Sequence, residues 1–293
     1  MAICGKMCEC LSGMKCAMDK QEIDALVERF GAVAPRSRAV DKRRKALKWL
    51  NRWGYSTPGI LAELLGVDRS AGPRLVQQLA ARDLVREVVA GGNWGYWRYG
   101  PNRETGKRDR QGPFVVMLTE TGKATAIAVD NTLGATWERQ VSGIQSIRHN
   151  LMTQQVVVQM INLLGFDDYL TEPQLREQSK PGRKQPDAIL LKGSEKTAIE
   201  IELTPKSTQT GALDRALMAV AQAIADHHFQ YAMYLFSSDE HRKTYERAWQ
   251  RETIPIWKKN GNTWETTSSR GISDAIRASV QFVQSDVLLG DLI

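Results

Sequence analysis

Two glutamates lie two residues apart in an otherwise apolar stretch, AIEIELTPKS at residues 198–207. Side chains at i and i+2 of a β-strand point to the same face, so Glu200 and Glu202 are expected side by side. Lys206 joins the same row if the strand continues past Pro205. Two carboxylates in this arrangement repel each other and lose hydration when half buried. A divalent cation between them would offset that repulsion.

A third acid stands in the preceding apolar segment, PDAILLKG. Asp187 opens a predicted strand beside the one that carries Glu200 and Glu202, so the three carboxylates can form a cluster of oxygen ligands. Such clusters suit Mg²⁺ or Mn²⁺. The cation would polarise a scissile phosphate and lower the pKa of a bound water, while a nearby lysine stabilises the developing charge. In the alternative interpretation, Asp187 is a turn residue after Pro186 and the glutamates line a solvated strand face.

Apolar periodicity predicts the elements that would position these residues. A long amphipathic helix begins at Ile144 and ends at Gly165. Strands follow in YLTE, PDAILLKG and TAIEIELTP, then a helix in GALDRALMAVAQAIADHH, a central strand in YAMYLFSS and a helix in DEHRKTYERAWQ. IPIW is predicted to add an edge strand. The order helix, three strands, helix and strand indicates an α/β domain with a partly parallel sheet, within a chain that is α+β overall.

The first half of the chain has a different pattern. A helix begins at Val40 and ends at Gly54, and two short helices follow in STPGILAELLGVDRSAGPRLVQQLAARDLVREV. The first is capped by Ser56 or Thr57, has Pro58 in its first turn and ends at Gly66. The second short helix shows a polar outward face. Its side chains suit phosphates and base edges in a major groove, and they are Arg69, Arg74, Gln77 and Gln78.

A hairpin is predicted next, with strands in LVREVVAGG and FVVMLTETG. Its long tip interleaves basic residues with Trp and Tyr, which can hold phosphates while rings stack on exposed bases. The basic residues are Arg98, Arg103, Lys107, Arg108 and Arg110. Alternatively, the tip is an exposed loop whose aromatic residues pack on the domain below it. Helix-turn-helix followed by a hairpin resembles the winged-helix family over about residues 40–122, which implies DNA binding, although some winged helices bind only protein.

The later motifs resemble the PD-(D/E)xK nuclease superfamily, in which Pro-Asp and a spacer precede Asp/Glu-x-Lys. Asp187 and Glu200 match the two acids of that pattern. Glu202 occupies the lysine position, which leaves the lysine's role to a relocated residue, for which Lys206 is the candidate. In YLTEPQLRE, Glu172 matches an extra upstream acid that many members bring to the metal, and Glu177 is its alternative in the same segment.

His149, on the long helix, is a candidate DNA or catalytic contact, or else a helix histidine hydrogen-bonded between domains.

A narrower resemblance joins both halves. RHNLMTQQVVVQMI, GFDDYLTEPQLRE, KQPDAILL and AIEIELTPKS are similar to segments of the MobC-type plasmid mobilisation relaxases and the related replication-relaxation proteins. These proteins join a winged helix to a restriction-endonuclease-like domain. The resemblance implies a metal-dependent enzyme that nicks double- or single-stranded DNA at a plasmid transfer origin, with an accessory relaxosome protein and a coupling protein as partners. The alternatives are a non-catalytic replication or transcription regulator and a nuclease that cuts both strands.

Composition sets the remaining expectations. With 293 residues, 42% hydrophobic content and a net charge of +7, the chain has room for two domains, and a polyanion is the first partner to consider. It lacks the roughly 20-residue apolar run of a membrane span and the apolar core of a secretory signal, so we expect a cytoplasmic protein. We predict a disordered leader at 1–18, a winged-helix domain with a long basic hairpin at 19–138 and a nuclease-like domain at 139–293. The leader holds all four cysteines, whose spacing matches no zinc finger, and they are Cys4, Cys8, Cys10 and Cys16.

Overall fold

A computed structural model of the protein describes residues 35–89, 114–130, 144–178 and 185–285. They belong to two compact units, which divide between Asn162 and Leu163. Both units combine helices with β-sheet, and the described residues contain three separate sheets. The predicted mixture of α and β structure is therefore confirmed. Among the described helices, none has the length and apolar character needed to cross a membrane.

The first unit consists of helices around a small antiparallel sheet. Its elements are α1 (Pro35–Trp53), β1 (Tyr55–Ser56), α2 (Pro58–Leu64), a 3-10 turn (Arg69–Ala71), α3 (Gly72–Ala80), β2 (Val85–Val89), β3 (Phe114–Leu118), α4 (Glu120–Val129) and nearly all of α5 (Ile144–Leu164). The three strands lie in the order β1-β3-β2, with β3 antiparallel to both neighbours.

Local signals set the ends of several elements in this unit. The Thr57 hydroxyl accepts a hydrogen bond from the Ile60 N–H at 3.2 Å, and Pro58 is the first residue of α2, as predicted. The expected strand through Gly122 is wrong, because β3 ends at Leu118. The Thr119 hydroxyl there accepts the Gly122 N–H at 3.0 Å and so begins α4, a helix that the sequence did not suggest.

Polar side chains of α5 join this helix to the first unit. Gln154 accepts a hydrogen bond from the Trp49 indole N–H at 3.1 Å and donates one to the Tyr55 carbonyl at 2.9 Å. One turn earlier, Asn150 donates to the Tyr55 hydroxyl at 3.1 Å. These contacts place most of α5 in the first unit, which extends to Asn162, whereas the sequence motifs placed a domain boundary after residue 138.

The second unit is built on a five-stranded mixed sheet. Its elements are β4 (Asp168–Thr171), α6 (Glu172–Glu177), β5 (Ala188–Lys192), β6 (Glu195–Glu202), α7 (Ala212–Ala225), β7 (Tyr231–Phe236), α8 (Asp239–Trp249), β8 (Thr253–Asn260), β9 (Thr263–Gly271), α9 (Asp274–Ala278) and β10 (Val280–Gln284). The strand order is β10-β7-β6-β5-β4. Strands β6, β7 and β10 are parallel, whereas β4 and β5 are antiparallel to their neighbours. The partly parallel sheet is confirmed, but the predicted order of elements is only partly correct: the short helix α6 separates the first two strands, and nearly all of the leading helix α5 belongs to the first unit.

The segment IPIW forms a strand, but the prediction of an edge strand in the main sheet is wrong. It belongs to β8, which pairs with β9 in a separate two-stranded hairpin. The described edges of the main sheet are β4 and β10, and the backbone of β10 pairs with β7 from Val280 to Gln284. Ile254 is the one fully buried residue of β8, and the strand becomes exposed from Lys258 onward, so it has little apolar surface for a sheet edge.

Candidate active site

Strand β6 carries the two glutamates on one face of the sheet. In the parallel pairing of β6 with β7, Glu200 lies opposite Tyr234 and Glu202 lies opposite Phe236. Both glutamates are buried, each with a relative exposure of 4%. The interpretation of these residues as a solvated strand face is therefore wrong. Two acids in one buried row carry a desolvation cost that a nearby positive charge must offset.

Asp187 joins this cluster through the backbone of β6. Its N–H donates to the Ile199 carbonyl at 3.0 Å, and its Oδ2 accepts the Ile201 N–H at 2.7 Å. Because Ile201 stands between the two glutamates, the Asp187 carboxylate is held beside the segment that carries Glu200 and Glu202. The structure thus fixes Asp187 to the strand that carries the other two predicted acids.

Lys206 reaches the same cluster by a different route from the one expected. Strand β6 ends at Glu202, so the expectation that Lys206 continues the strand row past Pro205 is wrong. The chain turns instead, and the Lys206 ammonium forms an ion pair with Glu202 Oε1. The charge of the buried Glu202 carboxylate is therefore offset by a lysine of the same chain.

Two tyrosines border the carboxylates, and sequence reasoning missed both. The Tyr234 hydroxyl is buried with no hydrogen-bond partner among the described residues. Burial, and then the negative charge of Glu200, raise the pKa of Tyr234 well above its usual value. Burial and the charge of Glu202 likewise raise the pKa of Tyr245 on α8. Both phenols therefore stay neutral over the physiological pH range.

The aromatic rings form a layer next to the acids. The rings of Tyr234 and Tyr245 have centroids 5.7 Å apart, and Phe236 and Tyr245 meet edge to face at 4.8 Å. Phe282 of β10 stacks on Tyr234 at 5.4 Å. No local pattern in YAMYLF reveals that Tyr234 faces Glu200, because the register between β6 and β7 decides it.

The donor types at this cluster are those of a hard divalent cation, since all are carboxylate oxygens. Asp187 is hydrogen-bonded to the residue that follows Glu200, and a cation at Glu202 would share that carboxylate with the Lys206 ammonium. Within the described ranges, no group of three or more His, Cys, Asp or Glu side chains is already arranged as a metal site. The residues thus fit Mg²⁺ or Mn²⁺ in type, with Lys206 as a competing positive charge.

Glu172, the predicted upstream acid, is the first residue of α6. Strand pairing puts Thr171 opposite Ala188, so Glu172 is at the same end of the sheet as Asp187. Its carboxylate pairs with Arg176 Nη2 at 2.5 Å, one turn along the helix. Its alternative, Glu177, is exposed at the last position of α6.

His149 lies in the first unit, whereas the acids lie in the second. It is half-buried on α5, and its carbonyl accepts the Thr153 hydroxyl at 2.9 Å.

The predicted DNA-contact residues of the first unit divide into three groups. Arg74, Gln77 and Gln78 are exposed on α3, as predicted, and Val76 and Leu79 of the same helix are buried. Arg69 is on the 3-10 turn before α3, where it donates to Gln155 Oε1 at 2.6 Å and to Glu63 Oε2 at 3.2 Å. The hairpin residues Arg98, Arg103, Lys107, Arg108 and Arg110 lie outside the described residues, as do the predicted leader and its cysteines.

Comparisons with models of known protein families, with curated proteins and with solved structures find no match to this chain. The relationship to the mobilisation relaxases therefore stays a prediction from the sequence motifs.

Proposed function

We propose that the protein binds DNA through its first unit and cleaves one DNA strand, with Mg²⁺ or Mn²⁺, at the carboxylates of its second unit. The observation that carries this proposal is the convergence of Asp187, Glu200, Glu202 and Lys206 at the end of β6. Buried carboxylates with a lysine beside them are the groups that metal-dependent phosphodiester cleavage requires.

The topology of the first unit supports DNA binding. A helix, a short strand, two helices and a hairpin, with strand order β1-β3-β2, are the arrangement expected of a winged helix. Helix α3 would be the recognition helix, because Arg74, Gln77 and Gln78 point to solvent from it. Arg69 would have a supporting role, since it fixes the start of α3 to Gln155. The basic hairpin tip would hold adjacent phosphates.

Each residue of the cluster has a part in the proposed cleavage. Asp187 and Glu200 would hold the cation, which when bound polarises the phosphate and lowers the pKa of a water. Lys206 would stabilise negative charge as it develops on the phosphate. Glu202 would position Lys206 through their ion pair. Lys206 would thereby replace the lysine that the nuclease superfamily carries at the position of Glu202. Glu172 would add a carboxylate from the same end of the sheet.

The substrate and partners rest on the family resemblance. We propose a plasmid transfer origin as the DNA site, with an accessory relaxosome protein and a coupling protein as partners. A net charge of +7 supports a polyanionic substrate.

A second candidate is a non-catalytic DNA-binding regulator of replication or transcription. It is favoured by one observation: Asp187 and Glu202 are already engaged by Ile201 and Lys206, and the described carboxylates form no three-ligand group. This candidate predicts specific DNA binding without cleavage under any cation.

Both candidates can be tested with the full-length protein and the supercoiled replicon that encodes it, with Mg²⁺, Mn²⁺ or a chelator present. Nicking converts supercoiled DNA to open circles, which separate on an agarose gel. The proposal predicts open circles with either cation and none with the chelator. Linear DNA would indicate cleavage of both strands. Retarded but uncut DNA under every condition would favour the regulator and contradict cleavage.

A further inference from the structure

The β8–β9 hairpin forms an exposed arm of the second unit. All nine residues of β9 are exposed, and so are Lys258, Lys259 and Asn260 at the end of β8. An isolated two-stranded hairpin is marginally stable in water, so an exposed arm of this kind needs an anchor.

The anchor lies at the N-terminal end of α7. Buried Asp214 accepts the Trp257 indole N–H at 2.9 Å and forms an ion pair with Arg251. Gly211, just before α7, lies against the Trp257 ring so closely that a methyl group at that position would overlap it. The base of the arm is therefore held in one place by a buried carboxylate.

A second contact fixes the arm closer to its tip. The guanidinium of Arg215, on α7, lies 3.6 Å from the centroid of the Trp264 ring. A cation this close to an indole face is favourable by about 0.5–1 kcal/mol at an exposed site. Trp264 nevertheless keeps a relative exposure of 38%. A fixed aromatic surface thus remains available beside the tip.

The charges of the arm are positive. The arm carries three cations, Lys258, Lys259 and Arg270, and one carboxylate, Glu265. Glu265 lies opposite Lys258 in the strand pairing and accepts a hydrogen bond from Asn260 at 3.0 Å, and Arg270 donates to Gln222 Oε1 at 2.8 Å. Neither Lys258 nor Lys259 has an ion pair or side-chain hydrogen bond within the part of the chain that the structure describes. Strand β9 adds a row of exposed hydroxyls, which are Thr263, Thr266, Thr267, Ser268 and Ser269. Lysines and hydroxyls are the side chains that contact nucleic-acid phosphates.

The arm is also joined directly to the carboxylate cluster. The loop of residues 203–210 leaves Glu202, carries Lys206 and ends beside Gly211, where the Trp257 ring packs. A nucleic acid held by the arm would therefore be bound by the same unit that carries the acids.

We propose that the β8–β9 arm binds the phosphate backbone of DNA through Lys258 and Lys259, with Trp264 opposite Lys259 in the strand pairing. This inference rests on the proposed function, which it deepens by naming a second DNA-contacting element apart from the first unit. Charge complementarity selects the partner, because the arm presents unpaired cations and hydroxyls and hardly any carboxylate.

The test compares two full-length variants that lose the same charge. The arm variant is Lys258→Gln with Lys259→Gln, and the control is Lys196→Gln with Lys243→Gln, which changes the start of β6 and helix α8. Fluorescence anisotropy with a labelled DNA duplex gives the affinity over a range of salt concentrations. We expect the arm variant to lose affinity on the order of tenfold at low salt, with a log–log salt slope smaller by about two.

The outcomes separate the two proposals. If the parent protein binds DNA and the arm variant keeps its affinity and slope, the arm proposal is wrong while the proposed function survives. Equal losses of DNA affinity in the arm and control variants would also overturn the arm proposal, because they would reflect the lower net charge of the protein and not a contact made by the arm. If the parent protein itself binds no DNA, the proposed function fails first. All substitutions are at exposed positions, so circular dichroism of both variants should match the parent.

Discussion

The Asp187 carboxylate accepts a hydrogen bond from the backbone N–H of Ile201, with 2.7 Å between Oδ2 and N. The donor belongs to the residue between Glu200 and Glu202, so the position of Asp187 is set by the strand that carries the other two acids. A site built on strand backbone in this way is held more firmly than one built on loops. The rate of cleavage is therefore expected to depend on the negative charge of Asp187 more than on any movement of its side chain.

Replacing Gly211 by alanine should destabilise the second unit. Gly211 has φ +65° and a methyl group would overlap the Trp257 ring, whereas Gly193 has φ +57° with open space around it. Gly193→Ala should thus cost about 1 kcal/mol for the left-handed backbone alone. Gly211→Ala should cost about 1–3 kcal/mol more because of the overlap. Urea unfolding measures both, and equal losses would contradict the packing of Trp257 on Gly211.

The first unit contains a buried ion pair whose disruption should be costly. Arg52 Nε lies 2.7 Å from Asp130 Oδ2, and both side chains are buried. Arg52→Met should lower the free energy of unfolding by about 3–5 kcal/mol, because it leaves a buried carboxylate without its cation. Arg82→Met, at an exposed position, is the control. Adding Asp130→Leu to Arg52→Met should restore part of the loss, and a double mutant less stable than the single one would count against this account.

Tyr234→Phe removes a hydroxyl that is buried without a hydrogen-bond partner in the described structure. The free energy of unfolding, measured with urea, should therefore stay unchanged or rise by up to about 1 kcal/mol. Tyr55→Phe is the control, because the Tyr55 hydroxyl accepts a bond from Asn150 and its loss should cost about 1 kcal/mol.

The same variant has a signature in the pH dependence of stability. The pKa of Tyr234 is raised in the folded state, so the parent loses stability as pH rises above the ordinary tyrosine pKa of about 10. Tyr234→Phe should lose less stability over that range. A drop well beyond 1 kcal/mol at neutral pH would instead show that the hydroxyl has a partner.

Helix α3 can be tested through salt dependence. If Arg74 holds a phosphate, Arg74→Ala should reduce the log–log slope of DNA affinity against salt by about one. Arg247→Ala, at an exposed position of α8, removes the same charge from the other unit. Anisotropy titrations over a series of salt concentrations compare the two, and an unchanged slope for Arg74→Ala would remove α3 from the DNA interface.

Local sequence signals predicted many elements correctly. Thr57 and Pro58 mark the start of α2, and the apolar run YAMYLF forms the strand β7 in the interior of the main sheet. The grouping of Asp187 with the two glutamates could also be predicted, because the strands that carry them are neighbours in sequence and in the sheet. These features depend on short spacings along the chain.

Features that depend on long-range packing could not be predicted. The register between β6 and β7 brings Tyr234 to Glu200, and no spacing within either strand encodes it. The turn after Glu202 returns Lys206 to the acids, although a continued strand was expected. Likewise, α5 is amphipathic in sequence, but its packing in the first unit depends on the hydrogen bond between Gln154 and Trp49, which are far apart in the chain.

The nicking rates of matched variants test most directly whether the carboxylates of Asp187 and Glu200 support cation-dependent cleavage. Asp187→Asn keeps an oxygen that can accept the Ile201 N–H, and Glu200→Gln keeps its shape, so both should fold and bind DNA like the parent. With Mg²⁺ or Mn²⁺, each should nick supercoiled DNA slower by on the order of a hundredfold. Lys196→Gln, at the opposite end of β6 from Glu202, should nick at the parent rate. Parental nicking rates in both Asp187→Asn and Glu200→Gln would contradict the account.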